Sequence, residues 1–232
     1  MSFIVPAVLP SSRADLEEKL ARFSLLPTIS RVQIDVVDRH YASQASWPYT
    51  APHELREWIA EGAMLPELDR ITYEIDLMCL DPLAAIEAWL SLGASRFTLH
   101  AEGLLSIGET LRKLHTKFGG DILTVGLAIN VDTELALIEP FLDRVAYVQC
   151  MGIATIGQQG QPFDRRVLEK IRTLHTRYPT LRLQVDGGVS LATAKELLAS
   201  GATDLIVGSA LTRASDPAQV VAELEALSNP YA

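Results

Sequence analysis

The sequence predicts an α/β fold, a (β/α)₈ TIM barrel that spans residues 1–232 as one domain. Eight short apolar runs alternate with amphipathic stretches along the chain. The 232 residues suit eight strand–helix units, because such barrels typically hold about 250 residues. The competing fold, a doubly wound open sheet, has a glycine-rich turn after its first strand. Here the first strand leads instead into Leu9-Pro10-Ser11-Ser12, which favours the barrel.

The strands are predicted where apolar residues follow one another, as is typical of parallel strands covered on both faces. In chain order they are Phe3–Leu9, Arg31–Val36, Ile71–Met78, Arg96–His100, Ile122–Ile129, Val145–Met151, Leu181–Val185 and Asp204–Val207. Amphipathic periodicity predicts helices between them. The clearest are Ala14–Phe23, Leu83–Leu92, Leu104–Phe118, Phe163–Arg177 and Leu191–Ser200. Ser190 is the predicted N-cap of the last of these helices, and Gly201 its C-terminal stop.

Charge and cysteine content argue against several classes of protein. The formal net charge of −9 disfavours nucleic acid and anionic membranes as partners. An anionic small molecule still fits, because backbone amides bind phosphate even in an acidic protein. Cys79 and Cys150 form neither a disulfide framework nor a zinc-ligand pattern. The N-terminal segment lacks the basic start of a signal peptide, and no apolar run is long enough to cross a membrane. We therefore expect a cytoplasmic protein.

Polar residues stand at the ends of four predicted strands, where the active sites of such barrels lie. They are Gln33 and Asp35 on the second strand, Glu74 and Asp76 on the third, His100 and Glu102 after the fourth, and Asp186 after the seventh. Carboxylates that arrive from several strands repel one another unless they share a cation or a proton. This convergence predicts a functional site. Asp38, Glu74 and Glu102 also have a simpler interpretation as caps or loop anchors.

Several segments resemble the ribulose-phosphate 3-epimerase family. Val32–His40 (VQIDVVDRH) is similar to the family's second-strand pattern H-x-D-x-M-D-G-x-F, and Ile75–Pro82 (IDLMCLDP) to its third-strand pattern H-L-M-x-x-x-P. Val185–Ser209 (VDGGVSLATAKELLASGATDLIVGS) is similar to V-D-G-G-V followed by A-G-A-D and V-x-G-S. Ile4–Leu9 and Val125–Asn130 resemble the first and fifth strands. The resemblance implies a barrel of the ribulose-phosphate-binding type and an isomerase of pentose phosphate metabolism.

The resemblance also implies a reaction, the interconversion of ribulose 5-phosphate and xylulose 5-phosphate by movement of the proton at C3. In the family two aspartates face each other across the sugar, and a divalent metal stabilises the enediolate. By position, the two aspartates carry over to Asp35 and Asp186. Such a reaction needs a base on each face and positive charge where the oxyanion develops.

The phosphate site of the family carries over to glycines that follow the last strands. Gly187 and Gly188 follow the seventh strand, and Gly208 and Ser209 the eighth, where barrels often bind phosphate. The loop after the sixth strand resembles the family's glycine-rich lid, but its glycines, Gly157 and Gly160, stand in a rebuilt T-I-G-Q-Q-G-Q run. Ordinary turn formation is the alternative interpretation of Gly157 and Gly160.

The chain departs from the family at the metal site, where Gln33 and Asp76 replace two histidines. Imidazole suits Zn²⁺ and Fe²⁺, whereas carboxylate and amide oxygens suit Mg²⁺, Mn²⁺ or Ca²⁺. One hypothesis is a divalent metal (Mg²⁺, Mn²⁺ or Zn²⁺) held by Gln33, Asp35, Asp76 and Asp186, with no nucleotide cofactor. In the other, no metal binds, and Asp76 raises the pKa of a neighbouring carboxyl by like-charge repulsion.

Smaller departures lie around this site. Ala7 replaces a serine, Val37 a methionine and Arg39 a glycine of the family pattern. Arg39 is interpreted either as a cation near the substrate or as a solvated loop residue. The family tends to have a histidine at the position of His100, so His100 is a candidate pocket residue or a core residue.

Two other functions remain open. One is a non-catalytic or repurposed barrel that binds sugar phosphates. The other is a lyase like the hexulose-phosphate synthases and related decarboxylases, whose D-x-K-x-x-D pattern matches Asp76–Asp81, except that Met78 replaces the lysine. In each case the expected partner is a small sugar phosphate, and the resemblance implies a homo-oligomer.

Overall fold

Eight parallel strands close into a barrel in chain order. The computed structural model describes residues 2–42, 44–119, 122–158 and 160–227. Each strand pairs with the next along the chain, and the first strand also pairs with the eighth, Ile4 lying opposite Leu205. Closure removes the exposed edges of the sheet, and the predicted fold is confirmed. That the barrel forms one domain over residues 1–232 stays a prediction.

The strands are short and buried. They are β1 (Ile4–Val8), β2 (Arg31–Val37), β3 (Thr72–Met78), β4 (Arg96–His100), β5 (Thr124–Ile129), β6 (Tyr147–Met151), β7 (Arg182–Asp186) and β8 (Asp204–Val207). The α-helices are α1 (Arg13–Ser24), α2 (Pro52–Ala60), α3 (Pro82–Leu90), α4 (Ile107–Phe118), α5 (Arg166–Arg177), α6 (Leu191–Ala199), α7 (Ser209–Thr212) and α8 (Pro217–Ala226). In the described residues, no helix is long and apolar enough to cross a membrane.

Local side chains explain where several helices begin. Ser12, Ser106, Asp81 and Asp216 each accept a hydrogen bond from a backbone N–H in the first turn of the helix that follows. Proline occupies the first position of α2, α3 and α8, where its missing N–H costs nothing. Ser106 caps α4, so this helix begins three residues later than the predicted Leu104.

The connection from β5 to β6 contains no α-helix, in contrast to the regular alternation predicted. It consists of two 3₁₀ helices, Leu135–Leu137 and Glu139–Arg144. The predicted start of the fifth strand at Ile122 is also wrong, because this side chain is largely exposed and the strand begins at Thr124.

The two faces of the sheet differ in chemistry. Apolar residues such as Ile34, Ile75 and Leu77 belong to the main hydrophobic core, which also includes Leu16 and Leu197 of the surrounding helices. The buried polar side chains of the sheet are Gln33, Asp35, Glu74, Asp76, Thr98, His100, Gln149, Gln184 and Asp204. Most of them bond to one another across the barrel, so its interior contains a polar network.

Candidate active site

Three aspartates meet inside the barrel. One carboxylate oxygen each of Asp35, Asp76 and Asp186 lies within 4.8 Å of the others. Asp35 and Asp76 are register partners on the neighbouring strands β2 and β3, whereas Asp186 approaches from the end of β7. The pairing of β2 with β3 therefore sets the relative positions of Asp35 and Asp76, and closure of the barrel places Asp186 beside them.

The amide of Gln33 connects two of these aspartates. Its Nε2 donates a hydrogen bond to Oδ1 of Asp35 at 2.9 Å and a longer one to Oδ2 of Asp186 at 3.5 Å. Its Oε1 is buried and has no partner among the described residues. A half-turn of the amide would put Oε1 where Nε2 stands. Gln33 therefore offers either a donor to the carboxylates or an oxygen to a cation.

Asp76 has two partners of its own. Nε2 of His100 lies 2.9 Å from Oδ1 of Asp76, and Nε2 of Gln149 donates to Oδ2 at 3.0 Å. Burial works to lower the pKa of His100, but the charge of Asp76 and its hydrogen bond outweigh burial and raise it. Tyr41 packs edge-on against the imidazole, with ring centroids 5.6 Å apart. His100 is therefore held in place as a partner of Asp76.

Burial and mutual repulsion raise the pKa of both remaining aspartates. The pKa of Asp35 is raised well above its usual value by desolvation and then by the charges of Asp186 and Asp76. Desolvation and the charge of Asp76 raise the pKa of Asp186 to about 7, while His100 and the Gly187 backbone N–H oppose the rise. At neutral pH Asp186 is therefore close to its midpoint, and the surroundings of Asp35 favour its protonated form.

A row of amides continues from this cluster toward the base of the barrel. Gln184 Nε2 donates to Oε1 of Gln149 at 2.7 Å and also to Oε1 of Glu74. Glu74 further accepts from Nε of Arg96 at 2.9 Å and from Thr98 at 3.0 Å. Glu74 thus belongs to an ion-paired network below the site, and its simpler interpretation as a cap or loop anchor is wrong because it lies within β3.

A pocket opens above the carboxylates at the C-terminal face. Asp35 and Asp186 line it together with the predicted phosphate residues Gly157, Gly160, Gly187, Gly188, Gly208 and Ser209. Ala7, Met78 and Met151 also contribute to its wall. Gln33, Asp76 and His100 are not among the lining residues, because they lie buried beneath it. His100 is therefore a buried partner of a site residue and not a wall residue.

The backbone geometry at Gly188 explains why a glycine stands there. Its φ of +69° favours glycine, and a β-carbon would lie 2.8 Å from Cα of Phe163. Thr193 of α6 donates from Oγ1 to the Gly188 carbonyl at 2.9 Å and accepts from the N–H of Ser190 at 3.0 Å. The N-terminus of α6, where Ser190 is the N-cap as predicted, therefore fixes this loop.

The remaining candidates from the sequence lie away from the pocket. Asp38 accepts from the backbone N–H groups of Tyr41 and Leu80, and Glu102 accepts from that of Asn130 at 2.8 Å. Both are loop anchors. Arg39 is exposed. Gln159, in the rebuilt lid run, lies outside the described residues.

Two contributors were not anticipated from the sequence. Gln149 contacts Asp76, and Gly152 donates from its N–H to the Asp186 carbonyl at 2.6 Å. For Gln149 a signal exists, since three strands carry a glutamine among apolar residues: Gln33, Gln149 and Gln184. A polar side chain repeated at equivalent strand positions indicates an inward-facing layer of the barrel.

The donor set fits a hard divalent cation. Oxygens bound to one Mg²⁺ at about 2.0–2.1 Å lie about 3–4 Å apart, and the three carboxylates need only a small contraction to reach this spacing. Oε1 of Gln33 is a buried acceptor with no partner among the described residues, available as a fourth ligand. His100 would orient Asp76 through its hydrogen bond, as outer partners of metal ligands do.

Comparison with known proteins gives concordant matches in sequence. The model of the Ribulose-phosphate 3 epimerase family matches residues 3–212. The ribulose-phosphate 3-epimerase of Schizosaccharomyces pombe is 28% identical over 222 residues, covering 95% of this chain and 91% of that protein. The ribulose-phosphate 3-epimerase of Escherichia coli K12 is 28% identical over 225 residues, covering 95% and 93%. The cytoplasmic isoform of the rice enzyme (Oryza sativa subsp. japonica) is 24% identical and covers 95% and 92%.

Solved structures match over almost the whole chain. The 3-hexulose-6-phosphate synthase of Salmonella typhimurium has a TM-score of 0.66 at 15% identity, covering 98% of both chains. KGPDC from Streptococcus mutans has a TM-score of 0.66 at 16% identity, covering 98% of this chain and 97% of that one. At these identities the matches establish the barrel fold alone.

Proposed function

This chain belongs to the ribulose-phosphate 3-epimerase family, and from that premise we propose that it epimerises a phosphorylated ketose such as ribulose 5-phosphate at C3. Asp35 and Asp186 are the two acid–base residues of this proposal. The observation that carries it is one pocket lined by both aspartates, with the predicted phosphate glycines in the same wall. Proton donors and acceptors at a single carbon must both reach the substrate, and this arrangement supports that requirement.

The raised pKa values suit proton transfer in both directions. Asp186, with a pKa of about 7, has an appreciable ionised fraction at neutral pH, while burial and neighbouring charges raise the pKa of Asp35 and favour its protonated form. An ionised carboxylate takes the proton from C3, and the electrons of the C–H bond move into the C2 carbonyl to give an enediolate. The protonated carboxyl then delivers its proton to the opposite face of C3, which inverts that centre. For the reverse epimer the two roles exchange.

Gln33 and His100 support this chemistry from beneath the pocket. In the metal-free site Gln33 donates to both aspartates, so it stabilises whichever of them is ionised. His100 donates or accepts a hydrogen bond at Asp76 and so holds this carboxyl beneath the two reacting carboxyls. These contacts hold the carboxyls of Asp35 and Asp186 in position, and either carboxyl can be the ionised one.

We further propose a divalent metal held by Asp35, Asp76, Asp186 and Oε1 of Gln33. The all-oxygen donor set favours Mg²⁺ or Mn²⁺ over Zn²⁺. When bound, such an ion supplies positive charge to the enediolate oxygens and lowers the pKa of the carboxyls around it. The substrate is still oriented by the side chains of the pocket, and Asp35 and Asp186 still transfer the C3 proton.

The phosphate of the substrate is proposed to lie against the loops after β7 and β8. Gly188 and Gly208 allow a close approach of the backbone, and Ser209 adds a hydroxyl. With the phosphate at this end, C3 of the sugar lies toward Asp35 and Asp186. The thioethers of Met78 and Met151 provide the apolar wall that excludes water.

Turnover of ribulose 5-phosphate by Asp35→Asn and Asp186→Asn tests the acid–base roles. We expect kcat to fall by about 10³-fold in each variant, since loss of a positioned acid or base costs 10²- to 10⁴-fold. In D₂O each variant should still exchange the proton that its remaining carboxyl reaches, without inverting C3, and NMR would detect this deuterium uptake. Asp69→Asn, at an exposed residue, is the matched control.

Several outcomes separate this proposal from the alternatives. Activity that survives both aspartate substitutions would contradict it. Stabilisation of the wild type by sugar phosphates without any turnover would favour a binding protein. The lyase alternative lacks its cation, because the uncharged Met78 stands where the lyase pattern has lysine.

The remaining expectations belong to the same proposal. A cytoplasmic location is supported by two buried free cysteines, Cys79 and Cys150, and by the rice relative described as a cytoplasmic isoform. The homo-oligomer stays a prediction, which light scattering on the purified protein would measure.

A further inference from the structure

The pocket that is proposed to take an anionic substrate lacks a cation of its own. Among the described residues, its lining includes the carboxyls of Asp35 and Asp186 and no lysine or arginine. A phosphate that enters meets negative charge at the carboxylate end of this pocket. A positive side chain at the opposite end would therefore strengthen phosphate binding beyond what the partial charges of backbone N–H groups provide.

A shallow groove continues from the phosphate end of this pocket, and Arg213 forms part of its wall. Pocket and groove share the same bordering residues: Gly160, Gln161, Gly188, Val189 and Ser209. Arg213 lies against the lid, because a β-carbon on Gly160 would come within 2.9 Å of its Nη2. The guanidinium therefore lies next to Gly160, in the wall of a groove that Gly188 and Ser209 also line.

The backbone that carries Arg213 is held on both sides. Arg22 of α1 donates from Nη1 to the Thr212 carbonyl at 3.1 Å and from Nη2 to the Ala214 carbonyl. The N–H of Arg213 donates to the Ser209 carbonyl at 3.2 Å, so Arg213 follows Ser209 by one helical turn. Because helical side chains lean toward the N-terminus of their helix, this spacing directs Arg213 toward the loop that begins α7.

The charge of Arg213 is uncommitted in the described part of the chain. The residue is exposed, and its guanidinium forms no ion pair or hydrogen bond there. A guanidinium binds phosphate oxygens through two parallel N–H donors, and it stays charged at every physiological pH. The structure thus places a free planar cation beside the phosphate end of an otherwise acidic pocket.

We infer that Arg213 binds the phosphate of the substrate. This inference rests on the proposed function only in taking a sugar phosphate as the ligand. It makes Arg213 a determinant of specificity for phosphorylated over unphosphorylated sugars.

Calorimetric titration of the purified full-length protein with inorganic phosphate and with ribulose 5-phosphate tests the inference. We expect Arg213→Gln to weaken both affinities by about 10-fold, since charge-assisted hydrogen bonds are the strong ones. Arg213→Lys should weaken both affinities by only about 3-fold, because lysine keeps the positive charge but lacks the two parallel N–H donors of the guanidinium. The difference between wild type and Arg213→Gln should shrink at high salt, which screens exposed charges.

Kinetics and a matched control separate a specific contact from a general effect. For ribulose 5-phosphate we expect KM to rise by a similar factor with kcat unchanged, and any weak binding of unphosphorylated ribulose to stay the same. Arg56→Gln, at an exposed arginine on α2, should leave all of these values unaltered.

Equal phosphate affinity of the wild type and Arg213→Gln would overturn the inference, as would a wild type that binds neither ligand. An equal loss in Arg56→Gln would do the same, because it would show a nonspecific charge effect. A protein that catalyses no epimerisation but binds phosphate through Arg213 would overturn the proposed function and leave this inference standing.

Discussion

At the scale of single residues, the burial that gives Asp35 and Asp186 their raised pKa values also makes their ionised forms destabilise the fold. Asp35 and Asp186 are removed from water and lie next to a third carboxyl, Asp76, so their ionised forms are disfavoured. An unfolded chain exposes the same carboxyls to water, where they ionise near pH 4. The folded protein therefore holds its protons more tightly than the unfolded chain does.

Stability of the metal-free protein should fall as pH rises. The pKa of Asp186 is about 7 in the folded state against 3.8 when unperturbed. Between pH 4 and pH 7 the folded state binds more protons at Asp186 than the unfolded chain does. The contribution of Asp186 to the free energy of unfolding is therefore fully present below pH 4 and is lost as pH rises through 7. Between pH 5 and pH 8, Asp186→Asn should remove about 2.5 kcal/mol of this pH dependence. Urea unfolding in chelator at pH 5 and pH 8 measures it.

The residue-scale control is again Asp69→Asn, whose pH profile should match that of the wild type. A wild-type protein whose free energy of unfolding increases from pH 5 to pH 8, relative to Asp186→Asn, would contradict the raised pKa.

At the scale of elements, the ends of β6 and β7 are joined through a glycine. Gly152 follows β6 and donates to the Asp186 carbonyl, and a β-carbon at this position would overlap the carbonyl oxygen of Gly187. The overlap involves backbone atoms, which cannot rotate away as a side chain does. The position of Asp186 thus depends on a neighbouring strand that has no room for a methyl group.

Gly152→Ala should therefore displace the end of β7. We expect a loss of about 3 kcal/mol in the free energy of unfolding, at the upper end for overpacking, together with a loss of activity. Gly108→Ala is the matched control: a β-carbon there meets the movable ring of Phe141 at 3.1 Å, and alanine favours the helix. Urea denaturation of both variants should give a large effect for Gly152 and a near-neutral one for Gly108. Equal effects would contradict the overlap.

A comparison of predicted and observed elements shows which features of the fold the sequence predicts. The predicted bounds of β4 and β8 match the structure, because each is a short apolar run between turns. The helix-free connection around Pro140 was missed, since apolar spacing does not distinguish a 3₁₀ helix from an α-helix. In the site, alternation on β2 and β3 predicted that carboxylates converge. The His100–Asp76 bond was not predicted, because contacts between strands depend on register and barrel closure.

At the scale of the whole molecule, the proposed metal site would link the stability of the protein to a bound cation. A cation that binds the folded cluster and not the unfolded chain shifts the unfolding equilibrium by mass action. Because the cluster joins β2, β3 and β7, a bound ion would cross-link strands from opposite sides of the barrel.

Thermal unfolding with and without Mn²⁺ or Mg²⁺ should reveal this link. At 100 times its dissociation constant an ion adds about 2.7 kcal/mol, which raises Tm by roughly 5–10 °C for a protein of this size. Chelation should reverse the shift, and Asp76→Asn should abolish it while Asp69→Asn keeps it. An Asp76→Asn variant that responds to the metals as fully as the wild type would contradict the proposed ligand set.

The row of amides inside the barrel carries a consequence for how this protein can change during evolution. Gln184 donates to both Glu74 and Gln149, and Gln149 donates to Asp76, so the direction in which one amide points dictates the next. Replacement of one member would leave a buried donor or acceptor of its neighbour without a partner, and the neighbouring amides would have to reorient in turn. Glu74, Gln184, Gln149 and Asp76 should therefore be inherited as a block, with lineages that lose one member changing the others as well.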